Sequence, residues 1–478
     1  MTRDHPLTTR GPEPAARFTE SGSVADADAA AKESLDWLIA RRDAHRFEVT
    51  RVPFAELGDW SVQPGTGNLT HRSGKFFTVE GLRVHADAGP VGTWDQPIIV
   101  QPEIGLLGFV VKEIDGVLHC LTQAKMEPGN PNLVQVSPTV QATRSNFTRV
   151  HRGSATRYLE YFTDPGRARV LVDVLQSEQG SWFLGKRNRN IVVEVPPDED
   201  VPAHPDFRWM TVAELRELLH RDNTVNMDAR TVLSCIPFAR PTSAPRPGPG
   251  QEFRTALRRS MTAAEGALHP LPEVLSWFTE RTARHELRTE RIPLARVEGW
   301  HRDAWEVRHE QGRHFTVFGA RVSAASREVS GWTQPLLAPC GTGIAALLVK
   351  NLGGVLHALV HARPEAGHVR GVELAPTVQC TPDNYRSLPA ASRPRFLDVV
   401  LDAPAGRVRF DAIQSEEGGR FHHAECRYTI IEAGDDFPVA VPEDYRWLTL
   451  HQLASLLQHS HYLNVQARSL VACLHCLW

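Results

Sequence analysis

The stretch His119-Cys120-Leu121-Thr122-Gln123-Ala124-Lys125-Met126-Glu127-Pro128-Gly129-Asn130 returns in altered form as His357-Ala358-Leu359-Val360-His361-Ala362-Arg363-Pro364-Glu365-Ala366-Gly367-His368, 238 positions later. The run Pro138-Thr139-Val140-Gln141-Ala142-Thr143-Arg144-Ser145-Asn146-Phe147 returns at the same distance as Pro376-Thr377-Val378-Gln379-Cys380-Thr381-Pro382-Asp383-Asn384-Tyr385. Core packing preserves apolar positions; it does not by itself preserve polar and aromatic ones at fixed spacing.

The same period holds outward from this pair. Trp94-Asp95-Gln96-Pro97 matches Trp332-Thr333-Gln334-Pro335, Gln176-Ser177-Glu178 matches Gln414-Ser415-Glu416, and Asn226 to Arg230 matches Asn464 to Arg468. Upstream the spacing slips to 240, pairing Trp60 with Trp300, so a two-residue difference is expected in a loop between Trp60 and Phe77. Two copies of this length describe a duplicated domain and not a solenoid. The proline-rich run Arg240 to Gly250 can continue neither helix nor sheet and marks the joint. The expected division is a disordered lead-in over 1–31, a first domain over 32–237, a linker over 238–262 and a second domain over 263–478.

Each copy reads as mixed α/β or α+β. A helix opens it, over Ser34 to Arg42 or Pro272 to Arg284. Apolar runs Leu106 to Val111 and Val117 to Thr122 flank the turn signal Ile114-Asp115-Gly116, predicting a hairpin. Further strands are expected at Val170 to Leu175 and Ile191 to Val193, echoed at Val408 to Ile413 and Tyr428 to Ile431. Thr211-x-x-Glu214 and Thr449-x-x-Gln452 predict capping boxes that start closing helices.

Of 478 residues, 41% are hydrophobic and 23% charged, the balance of a globular protein of two or three domains. A net charge of −3 supplies no basic field for nucleic acid. No apolar run approaches membrane-spanning length, and the N-terminus lacks the apolar core of a signal peptide. Seven cysteines without a regular framework suggest reduced thiols and a cytoplasmic location. Among 22 histidines there is no H-E-x-x-H pair, and dinucleotide, Walker and nucleophile-elbow motifs are missing.

Three elements could carry chemistry. Thr143, Asn146 and Phe147, like Thr381, Asn384 and Tyr385, can hold the polar edge of a base or a phosphate beside a stacking ring, or can simply cap a turn. Lys125 and Glu127 alternate on a strand end before Pro128-Gly129-Asn130, so both can face one way and polarise a carbonyl, or form a solvated ion pair. Gln176 to Phe183 follows a buried strand and holds amides, a carboxylate and Trp182, groups that meet sugars but also fill polar turns.

The motifs Glu103 to Phe109, Gln123 to Asn130, Ser137 to Gln141, Leu175 to Gly180 and Asn223 to Asp228 resemble those of the NDP-hexose 2,3-dehydratases, which make 2,6-dideoxysugars for antibiotics and other glycosylated natural products. The resemblance covers about Ser34 to Cys473. It implies two tandem Nudix-hydrolase-like domains per subunit, a homodimer, a TDP-sugar pocket in each domain, and no cofactor or metal. The magnesium-binding Nudix signature is itself missing. The implied enzyme is a hydro-lyase that removes the C2 hydroxyl of TDP-4-keto-6-deoxyglucose by base-catalysed elimination. Its labile diketo product would pass to a 3-ketoreductase. A metal-dependent nucleotide-sugar hydrolase and a non-catalytic nucleotide-sugar binder are the alternatives.

On this resemblance, Lys125 polarises the ketone, while Glu127, Glu103 and His119 compete as acid and base. Trp60, Thr143, Arg144, Ser145, Asn146 and Phe147, with Ser181 and Trp182, hold the substrate in the first domain. Trp300, Thr381, Asp383, Asn384 and Tyr385 do so in the second. Family members often keep Q-A-K-x-E-P-G-N in both halves, so Arg363 for Lys125 and His368 for Asn130 are departures that favour catalysis in the first domain.

Overall fold

Continuous apolar runs such as Leu106 to Val111 are expected where a sheet is covered on both faces. In the computed structural model, which describes residues 14–87, 91–147, 154–239, 251–261, 266–325, 329–386, 388–389 and 392–478, that is where they lie. Strand Gly105–Ile114 runs parallel to Arg187–Glu194 at the centre of a seven-stranded mixed sheet, in the order Arg169–Ser177, Arg187–Glu194, Gly105–Ile114, Val117–Met126, Phe207–Thr211. Short strands Val134–Ser137 and Val140–Ala142 pair with Val117–Met126 and Gly105–Ile114 respectively. Leu107, Phe109 and Val111 pack on one face with Leu215, Leu218 and Val232, while Leu106 and Val110 pack on the other with Tyr161 and Phe162. Each such burial contributes about 1.5–3 kcal/mol. The second half repeats this sheet with Gly343–Leu352 parallel to Glu425–Glu432.

The expected hairpin forms, with Asp115 and Gly116 both at positive φ (51° and 80°). The two-residue slip falls where expected: Trp60 pairs with His71 and Trp300 with His309, across loops of unequal length. Thr449 and Gln452 form a full capping box. At Thr211 only half of one forms, because the Glu214 carboxylate turns to the buried Ser34 hydroxyl instead of back to the cap.

Two boundaries differ from the sequence reading. Residues 14–31, expected in the disordered lead-in, include helix Pro14–Ser21 and the start of helix Ala27–Ala44. Phe18 is fully buried, and Arg17 pairs with Glu113 and Glu194. The linker's far end is helix Glu252–Ser260, with Ala256 and Leu257 buried. These short helices are a further part of the repeat. Ser21 donates to Leu118 O and accepts from Val212 N; Ser260 donates to Leu356 O and accepts from Leu450 N. The anchoring contacts are tertiary, so eight and nine residues of local sequence carry no helical signal strong enough to announce them.

The halves are also interlaced. Strand Phe47–Val52 of the first half pairs with Phe315–Ala324 of the second, and Leu287–Ile292 of the second pairs with Thr78–Ala86 of the first. Each completes a five-stranded sheet of the other half. A second interlock joins two turns. Gly129 N donates to Gly418 O at 2.7 Å, and Gly367 N donates to Gly180 O at 2.8 Å. A Cβ on Gly129 would lie 1.6 Å from Phe421 O, and one on Gly367 would lie 1.8 Å from Phe183 O. Glycine is required at both for that close approach. No helix among the described residues is long and apolar enough to cross a membrane.

Candidate active site

The strand end Lys125-Met126-Glu127 and the Gly129 interlock place first-half and second-half residues around one cavity of about 180 Å³. One end is aromatic. Trp60 sits 4.6 Å from Phe77 and edge-on to His71 at 5.4 Å (ring centroids). Thr143, Asn146 and, from the second half, Trp332 join them on the wall. Further in, Arg420 of the second half lies over the Phe77 ring at 5.6 Å and reaches Glu417 at 3.4 Å.

The inner end is charged and deeply buried. Glu127, Glu178, Lys186, Asp228 and Glu417 line it, each no more than 8% exposed. Glu127 Oε1 accepts from Gln141 Nε2 at 3.1 Å. Gln141 is itself fixed by Asn226 Nδ2 (2.8 Å) and the Ser137 hydroxyl (2.8 Å), so the carboxylate is aimed and not merely present. Lys125 Nζ donates to Gln141 O at 2.9 Å, one layer behind that wall. Glu178 Oε1 accepts from Asn188 Nδ2 at 2.7 Å. Asp228 stands in the first turn of helix Met227–Ser234, and its Oδ1 is buried without a hydrogen-bond partner. Gln101, 1% exposed, presents an unpartnered amide to the same cavity.

Burial decides the protonation states here, because removing water penalises charge. It pushes Glu178 up, pushes Glu417 up to about 7, and lifts Asp228 well above the carboxylate range with help from Glu178, Glu417 and Glu127. It also brings Lys186 down to about 8, assisted by Arg420. Oxygens of Glu127, Asp228 and Glu417 lie within 4.8 Å of one another, a spacing that suits a divalent cation. The donor set fits one poorly. Both Glu417 oxygens already accept backbone N–H groups, from Gly419 (3.0 Å) and Arg420 (2.9 Å), and Lys186 and Arg420 supply positive charge nearby.

The structure brings together Trp60, Thr143, Asn146 and Glu127 from the residues singled out in the sequence, with Lys125 just behind. Glu103 is set back; it accepts from the Ser145 hydroxyl at 2.8 Å while its backbone carbonyl accepts from Lys186. His119 stands at the far end of its strand, paired with Lys112 and Thr211, bonding Val117 O, and does not reach the cavity. Arg144 is exposed, and the side chain of Phe147 lies outside the described residues. Ser181 is exposed, and Trp182 packs edge-on against Phe421 at 4.6 Å, away from this cavity.

In the second half Trp300 packs on Phe315 (4.7 Å) and donates to Asp95 O. Asn384 accepts from His314 N at 3.3 Å, and Thr381 and Tyr385 are half-buried beside it. Exposed Asp383 pairs with Arg386.

Sequence reasoning missed Lys186, Asp228 and Glu417 as site residues. The signal lies in the repeat itself. At the matching positions the other half carries Ala424, Gln466 and Gln179, and Trp182 stands where Arg420 does. Glu127 and Glu178 keep their counterparts in Glu365 and Glu416, but these four charged groups are replaced by neutral side chains in the other site.

A family model described as NDP-hexose 2,3-dehydratase matches residues 31–236 and again 271–474. Three curated relatives are each named dTDP-4-dehydro-6-deoxy-alpha-D-glucopyranose 2,3-dehydratase. The protein of Saccharopolyspora spinosa is 54% identical, covering 92% of this chain and 90% of its own. That of Amycolatopsis orientalis is 51% identical (92% and 89%), and that of Streptomyces violaceoruber 50% (92% and 96%).

Proposed function

The chain belongs to the NDP-hexose 2,3-dehydratase family, and from that premise we propose that it removes water from dTDP-4-dehydro-6-deoxyglucose at the cavity of its first half. The observation that carries this is the gradient along the cavity, from the Trp60–Phe77 end through Arg420 to the buried carboxylates and Lys186. The thymine stacks at the aromatic end, the diphosphate meets Arg420, and the sugar reaches the charged end.

The C4 ketone acidifies the hydrogen on C3. Glu127, held by Gln141, takes that proton, and positive charge from Lys186 and from Lys125 behind the wall stabilises the enolate on O4. The enolate expels the C2 hydroxyl as water, and the enol formed tautomerises to a 3,4-diketo-2,6-dideoxysugar. That vicinal diketone is labile, so a 3-ketoreductase is the fitting consumer. The mixed sheet with helices on both faces, present twice, supports a Nudix-like ancestry for each half. The seven free cysteines, four of them buried, support a reducing, cytoplasmic setting. A homodimer is part of the same reading, and sedimentation velocity tests it.

The function is tested by incubating the protein with dTDP-4-dehydro-6-deoxyglucose, EDTA and a trapping ketoreductase. Loss of one water by mass spectrometry is expected. Release of dTDP or dTMP that stops with chelator would establish a metal-dependent hydrolase instead, and an unaltered bound sugar a mere binder. Arg420→Ala is expected to raise KM roughly 10- to 100-fold, the loss of charged hydrogen bonds worth about 1.5–3 kcal/mol, with a smaller change in kcat. An unchanged KM would remove Arg420 from the diphosphate.

A further inference from the structure

Elimination needs an acid as well as a base, since hydroxide is a poor leaving group. We propose that Asp228, beside Glu417 from the second half, is the catalytic acid that protonates the departing C2 hydroxyl; this rests on the dehydratase reading above.

The geometry carries the argument. An acid must be protonated at the working pH, must face the sugar, and must have an oxygen that nothing else in the protein holds. Asp228 lines the charged end of the cavity, is 4% exposed, and its Oδ1 has no protein partner. It sits within 4.8 Å of both Glu127 and Glu417. Three carboxylates that close in so buried a site cannot all be ionised, so at least one proton is retained among them. Asp228 is the member best placed to keep it. Glu417 is held by two backbone N–H groups and by Arg420, which favour its anion, and Glu127 accepts from Gln141. The first turn of a helix ordinarily favours a carboxylate anion. Burial and three neighbouring carboxylates outweigh that here, and the opposing charge of Lys125 has a smaller effect than any of them. The matching pair is Gln466 of the second half and Gln179 of the first, two amides that cannot give up a proton as acids.

The step balances. Glu127 gains the C3 proton; the C2–O bond breaks as Asp228 transfers its proton to that oxygen; water leaves and Asp228 becomes an anion. The enol hydroxyl on C3 then gives its proton to Asp228 and Glu127 gives the one it took to C2, so both carboxyl groups return to their starting state.

Asp228→Asn tests this with three readouts on the full-length protein. Dehydration of the natural substrate is expected to fall about 100- to 10,000-fold, the usual worth of a positioned acid. Exchange of the C3 hydrogen with deuterated solvent should continue, because the base is untouched. The analogue bearing fluorine in place of the C2 hydroxyl should release fluoride at near the wild-type rate, because fluoride leaves without an acid. Natural-substrate dehydration at the wild-type rate in Asp228→Asn would overturn the proposal. So would loss of fluoride release together with C3 exchange, which would make Asp228 a structural residue. Failure of the dehydratase reading is separate: the wild-type protein itself would then neither exchange C3 nor lose water.

Discussion

Glu127→Gln is expected to lower dehydration by about 100- to 10,000-fold, the range for loss of a positioned base, while Glu365→Gln stays within about twofold of the wild type. The two residues occupy the same place in the repeat, so the comparison holds fold and position constant. What differs is the surroundings. Glu127 faces the cavity beside Asp228 and Glu417, with one oxygen held by Gln141. Glu365 has Arg363 Nε (3.0 Å), Gln379 (3.0 Å) and His368 (3.3 Å) around it, and neutral Gln466 and Gln179 stand at the positions that match Asp228 and Glu417. Glutamine keeps the shape of Glu127 and its contact to Gln141 but has no basicity. Deuterium exchange at C3 should therefore fall in step with dehydration, unlike in Asp228→Asn. The measurement is single-turnover product formation with exchange followed in parallel. Full activity in Glu127→Gln, with loss in Glu365→Gln, would move the chemistry to the second half.

How much of this was legible in the sequence depends on how local the cause is. The duplication, the Asp115-Gly116 hairpin and the Thr449 capping box follow from spacing or from a few adjacent residues, and they appear as expected. Trp60, Thr143, Asn146 and Glu127 were reached through motifs and meet at one cavity. Glu103 and His119 show the limit of that method: chemistry-bearing residues near a motif, one set back by a layer and one at the wrong end of a strand. The exchange of strands Phe47–Val52 and Leu287–Ile292 leaves no mark on either strand, because a strand's pattern records burial and not which sheet buries it. For the same reason, nothing local marks Glu417 and Arg420 as belonging to the first half's cavity. The sequence did contain a clue to them, in the neutral Gln179 and Trp182 at the matching positions, which becomes readable once it is known that the halves trade walls.

That trading of walls predicts how the molecule unfolds. Arg468 is fully buried on helix Val465–Leu474 of the second half, yet it donates to the carbonyl of Ser177 and to the Thr231 hydroxyl (2.6 Å) of the first. Arg230 mirrors it, donating to Ser415 O at 2.7 Å and to the Ser469 hydroxyl at 3.2 Å. Replacing Arg468 by methionine keeps most of the apolar stem but leaves buried carbonyls unpaired and the charges of Glu178 and Glu373 uncompensated. The expected loss is about 3–5 kcal/mol, the cost of removing one partner from a buried ionic network. At roughly 2 cal/mol/K of unfolding entropy per residue, that is a fall in Tm of about 3–5 °C for a chain of this length. Scanning calorimetry and tryptophan fluorescence should both report one transition, shifted as a whole. Neither half can lose its structure without stripping a strand from a sheet of the other, so a change made in one is felt in both. Two separate transitions, with only the later or the earlier one moved by Arg468→Met, would mean that the exchanged strands and the paired arginines do not couple the halves.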